Sequence, residues 1–222
     1  NILYVMNPDP DPELFPSTDW VAPGRSSWSW LNGGQSAQNP TNMKKYTEMA
    51  AKLGFEYNTI DDGWIFWGGG NASTYAQELY KEDLASVGEF GLQYNVKQFL
   101  WGGVNTMTSG TPGMNNAAAL SAFLKLCEET NMFGVKLDFW NAEISTATLN
   151  LQLGVLKESA EKQIMVNLHG IQKGTGWEVT YPNEVTREGI RGYEHRAADR
   201  SLYNTPLHSH TTQPVTPPPP GH

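Results

Sequence analysis

Cysteine is nearly absent: Cys127 is the only one in 222 residues, so the chain can form no internal disulfide. It falls on the apolar face of a helical stretch, where a buried and inert thiol is expected rather than a nucleophile. Cysteine usage therefore leaves the cellular compartment open. No run approaches the roughly 20 apolar residues of a membrane-spanning helix. No signal peptide is visible at the start of the sequence. Basic residues are few, 15 Lys and Arg against 23 Asp and Glu, giving a net charge of -8. That balance excludes nucleic acid and anionic membrane as partners, since both need clustered positive charge. Zinc-ligand spacing, a phosphate-cradling glycine loop and a Ser-His-Asp pattern are missing as well.

What is present reads as one globular domain. Hydrophobic residues make up 39% of the chain and charged ones 17%, a mixture able to bury a sizeable core. Residues 1–25, rich in Pro and Asp, form an irregular lead-in. Residues 213–222, with four consecutive prolines, read as a polyproline-type tail. Between them, over 26–212, short apolar runs alternate with helical periodicity. The runs are Ser26–Leu31, Phe55–Ile60, Val96–Trp101, Gly134–Phe139, Ile164–Leu168 and, less clearly, Ile190–Glu194. Helical spacing links Met43, Tyr46, Ala50 and Leu53, with Asn39-Pro40 as a suitable start. It also links Leu120, Phe123, Leu124 and Cys127, and again Leu149, Leu153, Leu156 and Ala160. Alternating strands and helices imply parallel pairing with right-handed crossovers.

An open doubly wound sheet and a closed barrel both fit that alternation. Reactive residues at the strand ends favour the barrel. Asp61 and Asp62 follow the second run, Trp101 ends the third and Asp138 closes the fourth. Asn167 and His169 end the fifth, and Glu188 and Glu194 flank the sixth. A barrel gathers successive strand ends around one axis, whereas an open sheet spreads them along an edge. The fold class expected is therefore α/β, a (β/α)8 TIM-barrel catalytic domain of which about six strands are recognisable. An incomplete barrel would leave two edge strands to be covered by flanking domains or a partner chain.

Two carboxyl groups on opposite sides of an anomeric carbon are what glycoside hydrolysis needs, one ionised and one holding a proton. Asp138 in GVKLDFW and Glu194 in REGIRGYEH are the candidates. Lys136 lies two residues before Asp138, so both side chains point to the same side of a strand, where an ammonium would keep Asp138 ionised. The motif alone leaves open that Asp138 merely caps the following helix. Glu188 and Glu194 could likewise be a solvated charge cluster, or an acid/base with a second carboxylate facing a cation such as Ca2+. His169 reads either as a hydrogen-bonded structural residue or as one that orients a carboxylate or substrate. The aromatic content, 11% of residues, suits sugar stacking and suits core packing too.

At these residues the sequence resembles a known family. The segment VNLHGIQKGTGWEVTYPNEVTREGIRGYE is similar to the strand-five to strand-six region of glycoside hydrolase family 97, with its HG-x-x-K-x-TG, TYPN and TREG-x-RG-x-E pattern. APGRSSWSW, LGFEYNTIDDGW and GVKLDFW resemble that family's upstream pieces, in the family's order. The resemblance implies a choice between two branches. Inverting members carry a glutamate directly after the strand-five His, where this chain has Gly170; retaining members carry a nucleophilic aspartate at the end of strand four, where it has Asp138. It also implies Glu194 as acid/base, and Glu188 and Glu194 facing Ca2+. A β-sandwich domain before the barrel, a small β domain after it, and a periplasmic or secreted location in a bacterium are implied as well. Asp61-Asp62 before Gly63-Trp64 resembles the DD-x-W motif of related α-galactosidases, whose carboxylates accept hydrogen bonds from sugar hydroxyls. Trp64, Trp101, Lys136, Asn167 and His169 join Asp61 and Asp62 as expected substrate contacts. The reading is a retaining, exo-acting α-galactosidase acting on an oligosaccharide. The alternatives are an α-glucosidase of the same family and a truncated barrel that only binds sugar.

Overall fold

A computed structural model describes residues 5–30, 39–69, 80–105, 113–140 and 145–190. In chain order these form β1 (Ser26–Trp28), α1 (Pro40–Leu53), β2 (Tyr57–Ile60), a 3₁₀ turn (Trp64–Gly69) and α2 (Lys81–Gln93). They continue with β3 (Lys97–Gly103), α3 (Ala117–Glu129), β4 (Met132–Asp138), α4 (Thr146–Glu161), β5 (Met165–Leu168), the short α5 (Trp177–Thr180) and β6 (Glu184–Arg187). The six strands pair in sequence order, every pair parallel, in one sheet. The result is a curled half-barrel, part of the (β/α)8 fold expected from the alternation. Glu194 and the proline-rich segment 213–222 lie outside the described residues.

The helices begin where short polar side chains can satisfy free backbone N–H groups. Asn39 caps α1 by accepting from the Asn42 N–H, with Pro40 in the first turn; Asn116 and Ser145 do the same for α3 and α4. Their apolar stripes pack on one face of the sheet. Leu84, Phe123, Leu124, Cys127 and Leu156 meet Ile60, Leu100, Val135, Leu137, Val166 and Leu168 in the main core. Burial pushes the Cys127 thiol far above its usual range, in keeping with an inert core residue. The stripe of α4 is rotated from its expected position. Leu149 and Leu153 are only half-buried, while Gln152 and Ser159 are buried. Gln152 exchanges two amide hydrogen bonds with Gln172 (2.8 and 3.2 Å), and Ser159 bonds back to Val155 O at 2.6 Å. Polar partners in the next βα unit let those positions go inside.

The concave face has a small second core of Tyr57, Phe99, Met165 and Val185, against which Trp20, Val21 and Phe133 pack. The lead-in therefore closes the bottom of the sheet, away from the strand ends that carry the reactive residues. Gly134 stands opposite Phe99 in the β3–β4 register, and a Cβ at residue 134 would overlap the Phe99 ring. Beneath α1, a buried relay ties the first three strands together. Ser27 Oγ donates to Asn58 Oδ1 (2.7 Å), Asn58 Nδ2 to Gln98 Oε1 (2.9 Å) and Gln98 Nε2 to Thr47 Oγ1 (3.3 Å).

The sixth strand corrects the sequence reading. It is Glu184–Arg187, not Ile190–Glu194: Ile190 lies in a bend beyond it, and residues 191–194 are outside the described set. EVTR looks like loop sequence because it starts and ends with a charge. Those charges neutralise each other inside the protein, where the Arg187 guanidinium grips both oxygens of Glu184 at 2.6 and 3.0 Å. Gly134→Ala should lower stability by about 1–3 kcal/mol, the usual cost of overpacking. Urea unfolding measures it, and an unchanged midpoint would refute the close fit of Gly134 to Phe99.

Candidate active site

Parallel pairing brings the C-terminal ends of all six strands to one rim. Asp61 leaves β2 buried, and both of its oxygens accept hydrogen bonds. Oδ2 accepts from Lys136 Nζ (2.7 Å) and from Trp28 Nε1 (2.6 Å), and Oδ1 accepts from the Asp62 N–H (2.8 Å). Lys136 projects from the concave face of β4, buried, with its ammonium 4.5 Å from the centroid of the Trp28 ring. The same ammonium stands 3.9 Å from Asp138 Oδ2. The two-residue spacing of Lys136 and Asp138 thus does what strand geometry predicts.

Asp138 closes β4 with its carboxylate in a ring of donors. Oδ2 receives His169 Nδ1 at 3.1 Å and Trp101 Nε1 at 3.4 Å; Oδ1 receives the Phe139 N–H at 2.7 Å. The next helix among the described residues, α4, starts at Thr146 and is capped by Ser145, so Asp138 is not its cap. Burial works to raise its pKa. The hydrogen bond and field of His169, the Lys136 ammonium and the Phe139 N–H together outweigh burial and hold the carboxyl below the usual carboxylate range.

His169 links Asp138 to a second carboxylate. Its Nδ1 lies 3.0 Å from Glu188 Oε2, which also accepts the Gly170 N–H at 3.1 Å. Both neighbours of Nδ1 are acceptors when ionised, so this nitrogen carries a proton. Gly170 has φ +65, and a Cβ on it would sit 3.0 Å from Asp138 Oδ1. Phe139 has φ +58, a left-handed conformation that costs a bulky residue on the order of 1–3 kcal/mol. Its carbonyl accepts Asn105 Nδ2 at 2.6 Å, and the Val104 N–H donates to the Asp138 carbonyl at 2.8 Å.

The structure thus gathers Asp61, Trp101, Lys136, Asp138, His169 and Glu188 into one cluster of hydrogen bonds and ion pairs. Asp62 stands beside it, half-buried, with Oδ1 accepting the Gly63 N–H at 2.8 Å. Asn167 lies level with Lys136 in the β4–β5 register, and its Oδ1 is buried without a hydrogen-bond partner, as is Thr186 Oγ1 opposite it on β6. Trp64 is placed elsewhere. It is wholly buried in the main core, edge-on to Tyr80, with Nε1 donating to Trp101 O at 2.9 Å, so it has no open face for a sugar. Sequence reasoning missed Trp28 and Asn105. Trp28 had a signal, being an aromatic at a strand end like Trp101; Asn105 had none.

Calcium implied by the resemblance can be tested against the donors present. Ca2+ takes six to eight oxygens. Among the described residues no group of three or more His, Cys, Asp or Glu is placed to hold a metal ion. Glu188 alone, with Oε2 accepting the Gly170 N–H and lying 3.0 Å from His169 Nδ1, does not make such a site.

Comparison with known proteins identifies the family and supports the fold. A profile for the family described as Glycoside hydrolase 97 matches residues 20–190. A "Probable retaining alpha-galactosidase" of Streptomyces bingchenggensis is 30% identical over 204 residues, 90% of this chain and 29% of that protein. A "Retaining alpha-galactosidase" of Bacteroides thetaiotaomicron is 27% identical over 203 residues, 87% of this chain and 28% of that one. The chain therefore spans less than a third of the length of these curated relatives. Among solved structures, a beta-arabinopyranosidase aligns with a TM-score of 0.75 at 23% identity, covering 91% of this chain and 30% of that one. A family 97 enzyme from Pseudoalteromonas sp. strain K8, solved in complex with acarbose, aligns with a TM-score of 0.67 at 24% identity, covering 89% and 33%. At those identities the two structures support the fold, while the profile reaches from the lead-in through the strand carrying Asp138 to Glu188: the chain belongs to glycoside hydrolase family 97.

Proposed function

We propose that this chain carries the catalytic core of a retaining, exo-acting α-galactosidase, with Asp138 as nucleophile and Glu194 as acid/base. The observation that carries the reading is the donor ring around Asp138, which keeps its carboxyl ionised and fixes it at the rim. Both curated relatives bear retaining α-galactosidase names, which supports the stereochemistry and the sugar. In the first half-reaction an Asp138 oxygen bonds to C1 from the β face while the glycosidic C1–O bond breaks and the leaving oxygen takes a proton from Glu194. In the second, Glu194 takes a proton from water, whose oxygen bonds to C1 from the α face and releases Asp138. The sugar leaves as the α-anomer. Glu194 takes its role here from the family motif.

The Asp61–Lys136 pair is suited to the non-reducing sugar, with Asp62 beside it: a cation and carboxylates at one rim can bind several hydroxyls, including the axial 4-hydroxyl of galactose. Asn167 and His169 join them as proposed sugar contacts, and Trp101 as part of the wall. Glu188 and Glu194 are the proposed pair facing Ca2+, and no step above runs through the metal. The edge strands β1 and β6 each pair on one side only among the described residues, which favours cover by flanking domains or a partner chain. No described helix is long and apolar enough to cross a membrane. A periplasmic or secreted location follows from the family reading.

Turnover of nitrophenyl α-galactoside above nitrophenyl α-glucoside, in the intact protein, tests substrate class. NMR should show the α-anomer as the first-formed sugar, and a β-anomer would sink the nucleophile assignment. Asp138→Gly should lose about 10³-fold or more in kcat and recover in part with azide, giving β-galactosyl azide, as expected when a covalent step is removed. Glu194→Ala should spare activated substrates and give the α-linked azide. The same azide anomer from both variants would overturn the division of labour.

The pH profile gives a further check. A depressed pKa keeps Asp138 ionised to lower pH, so the acid limb of kcat/KM should lie below pH ~3.9, the ordinary aspartate value. Lys136→Met removes a cation that favours the ionised form, leaves burial less opposed and should shift that limb upward. A limb that stays in place in Lys136→Met would show that another group sets it.

A further inference from the structure

We propose that Phe139 is a specificity-determining residue whose ring receives the leaving-group side of the substrate, against the apolar face of the sugar or aryl group that is released; this deepens the galactosidase reading above and rests on it. The ring is 48% exposed although it directly follows β4, and it meets Trp101 only in a T-shaped contact with centroids 6.2 Å apart. Its backbone is left-handed, with φ +58, which a bulky side chain disfavours. The other non-glycine residues with positive φ, among those described, are Asn95, Asn131 and Gln163. Each lies two residues past the end of α2, α3 or α4, where an amide side chain suits the turn that stops a helix. Phe139 ends no helix, so that explanation does not extend to it.

The turn places the ring. The peptide between Asp138 and Phe139 is held at both ends: its carbonyl accepts the Val104 N–H at 2.8 Å, and its N–H donates to Asp138 Oδ1 at 2.7 Å. With that plane fixed, rotation about the N–Cα bond of residue 139 decides where its side chain and its own carbonyl go. Asn105 Nδ2 holds the carbonyl at 2.6 Å, so the Cα–Cβ bond keeps the direction the left-handed turn gives it. Strain of this kind persists where function uses it. Depth in the site says what the ring meets. Lys136, Asp138 and Phe139 follow one another toward the rim, while the lead-in packs on the small core at the bottom of the sheet. Substrate therefore enters from the rim, with its non-reducing sugar at the level of the Asp61–Lys136 pair and C1 at Asp138. The group leaving C1 lies further out, at the level of Phe139, where an aromatic face offers contact area at low entropy cost.

The test uses the intact protein and two donors that share galactose and differ in what leaves. One is an α-galactosyl-glucose disaccharide; the other is α-galactosyl fluoride, which carries no second ring for Phe139 to meet. Phe139→Asn tolerates the left-handed turn and removes the ring. It should lower kcat/KM on the disaccharide by about 10-fold, the scale of one lost aromatic contact, and leave the fluoride within about twofold. Phe139→Trp, which keeps a flat face, should hold the disaccharide within about threefold of the native rate. The melting temperature of Phe139→Asn should be no lower than that of the native protein, since asparagine bears this backbone with less strain. Equal losses on both donors, or a melting temperature lower by several degrees, would mark the ring as packing and overturn the inference. A disaccharide rate untouched by Phe139→Asn would overturn it too. A native protein that turns over neither donor would instead remove the galactosidase reading itself, and this inference with it.

Discussion

The buried ammonium of Lys136 is the constraint on which the rim depends. Placing a charge in the concave face of a sheet is costly unless it is paired, and breaking such a pair by removing one partner typically costs about 3–5 kcal/mol. The chain meets that cost locally. Asp61 from β2 closes on the ammonium at 2.7 Å, and the Trp28 ring from β1 covers it. Three strands are thereby fixed relative to one another at their C-terminal ends, and the position of the charge beside Asp138 follows. The same field adds to the hydrogen bond and charge of His169 in holding the neighbouring carboxyl ionised. Stability of the rim and reactivity of the aspartate are one electrostatic arrangement.

Much of the fold is legible in the residues because it rests on periodicity. The Leu120, Phe123, Leu124 and Cys127 stripe is buried as spaced, and five apolar runs became strands with ends shifted by at most three residues. Legibility failed where burial is carried by polar groups. Glu184 and Arg187 hide each other inside β6, and Gln152 hides against Gln172, so both segments look more exposed on paper than they are. Hydropathy records a side chain's cost in isolation, and a partner twenty residues away cancels it.

The site divides the same way. Strand parity placed Lys136 and Asp138 on one side, and strand ends gathered Asp61, Trp101, His169 and Glu188. Trp64 misled because DD-x-W places the tryptophan in a short 3₁₀ turn that folds its ring back into the core. Asn105 was invisible, since its amide meets a backbone carbonyl at residue 139, a contact that no side-chain pattern encodes.

Gly170 has a consequence for its neighbours. The volume where its first side-chain carbon would stand lies 3.0 Å from Asp138 Oδ1, and its φ of +65 resists any substituted residue. Carboxylates at 138 and 170 therefore compete for one space. A side chain at 170 would press on the one carboxylate oxygen that the Phe139 N–H holds, so the turn after β5 stays bare for the sake of the strand beside it.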